Sequence, residues 1–146
     1  MIAPDVLKAI PHRPPFLFID RVLERTADGI IAERTIRAEE SFFEGHYPGN
    51  PLMPGVLICE AAFQAAGIYL SERSPVEDEA VATPVLVRIE NARFRQMVRP
   101  GDTIQIDVKW KESSGGFHFL KATVRVDKKA VATLDFVLNM MISSGS

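Results

Sequence analysis

A single cysteine, Cys59, means that no intrachain disulfide can form. The fold has to hold without covalent staples, which fits a reducing cytoplasm. The formal net charge is −2, so the chain lacks the basic excess of proteins that grip phosphate backbones through bulk charge, and no nucleic-acid partner is expected. The start, Met1 to Asp5, has no basic region followed by an apolar run, so no signal peptide is expected. The longest apolar stretch, Val56 to Leu70, is interrupted by Glu60 and Gln64 and is shorter than a bilayer span. A soluble protein with no membrane partner follows. There is no Gly-rich phosphate loop, no Cys/His metal spacing and no internal repeat.

What is present is ordinary globular composition, 25% charged and 47% hydrophobic over 146 residues. That is the size of one domain and enough to bury a core. Residues 1–142 read as one domain, and Ser143 to Ser146 as a disordered tail.

Pro4 can open a short helix from Asp5 to Ala9. Pro11, Pro14 and Pro15 then forbid regular structure. Phe16 to Arg25 reads as a strand, Asp28-Gly29 as a turn, and Ile30 to Arg37 as the returning strand. Phe42 to Met53, with Gly45, Pro48, Gly49 and Pro51, is a loop. Pro54, placed at the first helical position, opens a helix from Gly55 to about Glu72 that is apolar on nearly every face. Such a helix is buried, and its place between strands suggests a sheet wrapped around it. Ser71 to Glu79, polar and acidic with Pro75, reads as an exposed connection. Beyond it the period switches to two. Val85, Val87 and Ile89 alternate, then Ile104, Ile106, Val108 and Trp110, then Leu120, Ala122, Val124 and Val126, then Ala132, Leu134, Phe136 and Leu138. Short turns between these segments mean an antiparallel sheet, and the class is α+β.

Three features carry chemistry. Glu60 sits about two turns into the apolar helix, where a carboxylate is costly unless paired. Desolvation favours its protonated form, the state that a general acid needs. Gln64 lies one turn later on the same stripe and Gly67 continues it, which suggests a narrow slot beside the helix. A Glu–Gln pair that only fixes packing is the structural alternative. His46 lies in Gly45-His46-Tyr47-Pro48-Gly49, a loop whose glycines permit close backbone approach and whose imidazole is a natural base near pH 7. A loop histidine bonded to a neighbouring carbonyl is the alternative. Pro54 leaves the amides of Gly55 and Val56 without intrahelical partners, so they can bind an oxygen that gains negative charge, or simply water. Together these supply a base, an acid and an oxyanion donor within fifteen residues. They suit proton removal beside a thioester carbonyl with loss of a 3-hydroxyl as water.

The stretch GHYPGNPLMPGVLICEAAFQAAG, Gly45 to Gly67, resembles the signature of the FabZ-type (3R)-hydroxyacyl-acyl-carrier-protein dehydratases. PHRPPFLFIDRVLE, Pro11 to Glu24, and ARFRQMVRPGDTIQIDV, Ala92 to Val108, resemble further segments of that family, in the same order and spacing. The resemblance implies a hotdog fold, an antiparallel sheet wrapped around a long central helix. It implies that His46 and Glu60 are the catalytic pair, that the amide of Gly55 polarises the thioester carbonyl, and that Gln64 holds the carboxylate. Val56 joins Gly55 at the substrate, and Phe63 borders the acyl path. The resemblance further implies that each site takes its histidine and its acid from different subunits, so the working unit is a homodimer or a trimer of dimers. No metal or organic cofactor is expected. The substrate is an acyl thioester on acyl-carrier protein or coenzyme A. This chain departs from the family with Tyr47 for the commoner Phe, with Phe63 where a small residue is usual, and with Arg88 where Gly is frequent near the pantetheine path.

Other residues have plainer readings. Cys59 points about 100° away from Glu60 around the helix and reads as a buried thiol. His12 reads as a packing or capping residue, and His118 as a surface or edge residue. Arg93, Arg95 and Arg99 could meet an acidic carrier protein or line a solvated strand face. Two other functions fit the same fold class: a hotdog thioesterase and a non-catalytic acyl-binding module.

Overall fold

A computed structural model describes residues 1–73 and 80–144. In chain order the elements are α1 (Pro4–Ala9), β1 (Arg21–Thr26), β2 (Gly29–Thr35), a 3₁₀ turn (Ser41–Glu44), α2 (Gly55–Arg73), β3 (Ala80–Phe94), β4 (Thr103–Ser114), β5 (Phe117–Val126) and β6 (Lys129–Ser144). The six strands form one antiparallel sheet in the order β1-β2-β4-β5-β6-β3. The sheet wraps α2, which packs against β2 through β6.

Turn chemistry sets the hairpins. β1 and β2 are joined by the two-residue turn Ala27-Asp28, one residue earlier than the expected Asp28-Gly29. The β4–β5 turn places Gly115 and Gly116 at φ 57° and 89°. The β5–β6 turn places Asp127 and Lys128 at φ 49° and 71°. Two successive positive φ values match the right-handed twist of the flanking strands.

The strands send alternate side chains onto α2. Ile104, Ile106 and Val108 from β4, Leu120, Ala122 and Val124 from β5, and Leu134, Phe136 and Leu138 from β6 are all buried. They meet Ile58, Ala61, Ala62, Ala65 and Ile68 of the helix in one core. The alanines let the sheet approach closely, while each large buried side chain contributes roughly 1.5–3 kcal/mol. This is why α2 is apolar all round.

Four expectations need correction. Phe16 to Asp20 is not strand; β1 begins at Arg21. Leu17, Phe18 and Ile19 are buried as strand residues would be, but the backbone at Phe16 and Phe18 bonds to a helix side chain, Gln64, instead of a neighbouring strand. Pro54 is not the first helical residue: it caps α2, its carbonyl accepting from Leu57 and Ile58 N–H. The helix runs on to Arg73, so the expected connection at Ser71 to Glu79 begins later, and residues 74–79 lie outside those described. Ser143 and Ser144 are not a tail but pair with Val81 and Ala80 at the end of β6. Gly145 and Ser146 lie outside the described residues.

The two sheet edges differ. β1 carries charge: Arg21 pairs with Glu33, and Arg25 with Glu72 and Asp5. β3 is fifteen residues long and exposes Val85, Leu86, Val87, Ile89 and Phe94, with one ion pair, Arg88–Glu90, among them. Charge blunts an edge against pairing, whereas a long apolar edge invites a partner.

A buried ionic cluster ties the segment before β1 to the loop after β2. Asp20, 1% exposed, accepts from Arg34 Nη1 at 3.0 Å and from Thr35 N–H at 2.9 Å. Arg34 Nη2 also donates to both oxygens of Glu40 at 2.6 and 2.8 Å. Removing one member of such a cluster leaves the others charged and buried. Asp20→Ala is therefore expected to lose about 3–5 kcal/mol of stability, read as a lower urea midpoint with unchanged slope.

Candidate active site

His46 sits beyond the 3₁₀ turn, in a loop held from both sides. Phe43 is buried, Phe42 stacks edge-on with Phe18, Met53 N–H donates to Val98 O at 2.8 Å, and Arg99 donates to Asn50. Tyr47 takes φ 54°, a left-handed conformation that a bulky residue adopts at a cost and that is often found at functional sites. The half-buried imidazole bonds through Nδ1 to Leu52 O at 2.9 Å. A carbonyl oxygen can only accept, so Nδ1 carries the proton and Nε2 presents its lone pair. The bond expected as the structural alternative is thus present, and in the neutral ring it leaves Nε2 as the nitrogen without a proton.

Glu60 lies two turns inside α2. Burial pushes its carboxyl above the ordinary value, opposed in part by a hydrogen bond from Gln64 Nε2 to Oε2 at 3.0 Å. Gln64 is 0% exposed and fully satisfied. Its Oε1 accepts from Phe18 N–H at 2.7 Å, and its second Nε2 hydrogen goes to Phe16 O at 3.0 Å. The amide can therefore sit only one way round, and the donor that meets Glu60 is fixed by backbone 46 to 48 residues earlier in the chain.

At the helix start, the first bonded amide is that of Leu57, so the N–H groups of Gly55 and Val56 have no backbone partner among the described residues. A Cβ on Gly55 would lie 3.0 Å from Phe94 Cε1, tighter than ordinary contact, so glycine lets the ring close over the helix end. Val56 is 74% exposed. Phe63 is buried with its ring 5.0 Å from that of Phe136. The slot expected beside Gly67 is filled: a Cβ there would lie 2.8 Å from Pro84 Cγ and 3.4 Å from Ile10 Cγ2. Gly67 admits a proline, not open space.

The fold brings Glu60 to Gln64, and Gly55 to Val56. No hydrogen bond or ion pair joins His46 to Glu60 within the chain. Cys59 is buried, and burial raises its thiol pKa. His118 is half-buried and accepts from Trp110 Nε1 at 3.3 Å. Arg88 is occupied by Glu90, and Arg99 by Asn50 and Met97. Among the described residues, no group of three or more His, Cys, Asp or Glu side chains gathers to hold a metal ion, and no helix is long and apolar enough to cross a membrane. One neighbour of Glu60 went unrecognised in the sequence. His12 Nε2 lies 3.6 Å from Glu60 Oε2, and at 48 residues' separation no spacing rule points to it.

The model of the FabA-like domain matches residues 10–135. The 3-hydroxyacyl-[acyl-carrier-protein] dehydratase FabZ of Oenococcus oeni is 43% identical over 94% of this chain and 99% of its own length. The chain belongs to the FabZ-type dehydratase family. A FabZ from Fusobacterium nucleatum is 41% identical over 90% of the chain and 92% of its own length. Among solved structures, the dehydratase heterocomplex ApeI:P of Xenorhabdus doucetiae superposes with a TM-score of 0.78 at 16% identity, covering 93% of this chain and 90% of that one. A mutant thioesterase from Pseudomonas aeruginosa superposes with a TM-score of 0.63 at 12% identity, covering 84% of this chain and 81% of that one. Structural likeness at this identity establishes the hotdog fold alone, and that fold hosts both chemistries. The sequence relationship is what separates this FabZ-type chain from the thioesterases.

Proposed function

We propose that the protein is a (3R)-hydroxyacyl-[acyl-carrier-protein] dehydratase of fatty-acid synthesis, a hydro-lyase that converts 3-hydroxyacyl thioesters to trans-2-enoyl thioesters. The observation that carries the mechanism is Glu60: a carboxyl raised by burial in an apolar helix and fixed by a saturated Gln64. The Gly55 N–H binds the thioester carbonyl and stabilises charge on its oxygen. His46 Nε2 takes a proton from the carbon beside that carbonyl. The released electron pair forms the new C=C bond as the C3–O bond breaks. Glu60 protonates the departing hydroxyl, which leaves as water. The reverse sequence hydrates the enoyl thioester.

Two features support a site shared between copies, with His46 from one and Glu60 from the partner subunit. No hydrogen bond or ion pair joins the two side chains within one chain, and β3 offers a long apolar edge for a second copy. A homodimer is the smallest unit that completes such a site, and a trimer of dimers repeats it. The acyl group arrives on a carrier protein in the cytoplasm, and the mechanism calls on no cofactor.

Incubation with 3-hydroxyacyl thioesters of graded length separates the possible activities. Enoyl absorbance should rise with no free thiol. Thiol release would mark a thioesterase, and binding without turnover a non-catalytic module; either result removes the dehydratase assignment.

A further inference from the structure

His12 belongs to the Pro-rich segment between α1 and Phe16 and is brought against α2 from outside the helix. Its side chain is 19% exposed, its Nε2 is 3.6 Å from Glu60 Oε2, and its Nδ1 is buried with no hydrogen-bond partner. Placing the proton on Nδ1 would bury an unsatisfied N–H donor, whereas placing it on Nε2 leaves only an unpartnered acceptor lone pair at Nδ1. Orphaned buried donors are the rarer of the two in proteins. The Nε2–H tautomer is thus favoured, and it points the proton at Glu60.

Burial, and then the neighbouring charge of Arg13, push the His12 ring below the ordinary imidazole range, so the contact near neutral pH is a dipole facing a carboxyl and not an ion pair. Arg13 itself is turned away, donating to the carbonyls of Leu7, Ile10 and His12. The described groups that face the Glu60 carboxyl are therefore His12 from the Pro-rich segment and Gln64 from the helix.

We infer that His12 is a positioning residue for Glu60: with Gln64 it places two donors on Oε2 and so forces the acid proton onto Oε1. A carboxyl oxygen that receives the Gln64 N–H and faces a second one from His12 is the poor place for a third hydrogen. Oε1, which has no partner among the described residues, then carries the proton outward toward the departing hydroxyl. At 3.6 Å the His12 contact is longer than a formed hydrogen bond. Contacts of this kind commonly tighten once substrate fills the site. The inference rests on the dehydratase reading given above.

The test uses His12→Phe, which keeps a ring of similar size and removes the buried orphan nitrogen, and His12→Gln, which keeps an N–H at comparable reach. In His12→Phe, kcat should fall by on the order of 10- to 100-fold with KM unchanged. The carbon-13 signal of the Glu60 carboxyl, assigned by its absence in Glu60→Gln, should titrate at higher pH than in wild type. The sign follows because a donor aimed at the carboxylate favours the charged form and its loss favours the neutral one. His12→Gln should restore both quantities most of the way. Unchanged kcat and an unchanged titration in His12→Phe, beside an inactive Glu60→Gln, overturn the role of His12 and leave the dehydratase reading standing. A rise in KM alone would make His12 a substrate contact and also overturns it. A fully active Glu60→Gln takes down both.

Discussion

Glu60→Gln is expected to lose enoyl thioester formation by about 10²- to 10⁴-fold and yet to unfold at a higher temperature than wild type at pH 7. The first effect follows because an amide has no acidic proton to give the departing hydroxyl. The second follows from linkage. Burial raises the Glu60 pKa above its ordinary value of 4.5, so the native state holds its proton longer than the unfolded chain does. Native stability is then lost as pH rises from the unfolded value through the folded one. At pH 7 the unfolded wild-type chain gives up that proton more readily than the native state does, a cost to folding that the amide variant does not carry. A glutamine at position 60 still offers Gln64 a carbonyl oxygen, so the bond at Nε2 survives. The gap in melting temperature should close as pH falls below 4.5. Thermal denaturation across that range, beside the enoyl assay, checks both halves. A variant that is inactive because it is unfolded contradicts the first half, and one less stable at pH 7 contradicts the second.

His46→Ala removes the base and should cost a comparable factor, about 10²- to 10⁴-fold in kcat, with little change in stability because the ring is only half-buried and holds one backbone carbonyl. Its sharper use is in combination. If each site draws His46 and Glu60 from different copies, co-refolding His46→Ala with Glu60→Gln creates mixed dimers with one intact site and one doubly defective site. Random pairing should then return about a quarter of wild-type activity from two inactive parents. Pairs in which both residues come from one copy would return nothing. The recovery, measured against the ratio of the two variants, distinguishes these geometries.

The helix from Gly55 to Arg73 was legible because a long run of residues with no polar face can only be buried, and the β4–β5 hairpin was legible because its turn glycines tolerate positive φ. Glu60 and Gln64 stood out for the same reason in reverse, as polar groups where the pattern left no room for them. Phe16 to Asp20 was misread because its composition is that of a strand; what decides its conformation is the Gln64 amide, contributed by another part of the chain. The Asp20–Arg34–Glu40 cluster and the approach of His12 to Glu60 were hidden for the same reason. Each joins residues whose separation in sequence carries no period, and a charged residue on a strand looks solvated until the loop that covers it is placed. The slot beside Gly67 failed on a different point: a missing side chain shows where something can approach, and here Pro84 is what does.

If a second copy covers the apolar rim of β3, the amount of protein present becomes part of the chemistry. In the proposed two-copy site, dilution below the self-association constant would wet that rim and at the same time part the imidazole from its acid. Turnover would then decline faster than the number of chains, so a cell making little of this protein would have disproportionately little of the activity.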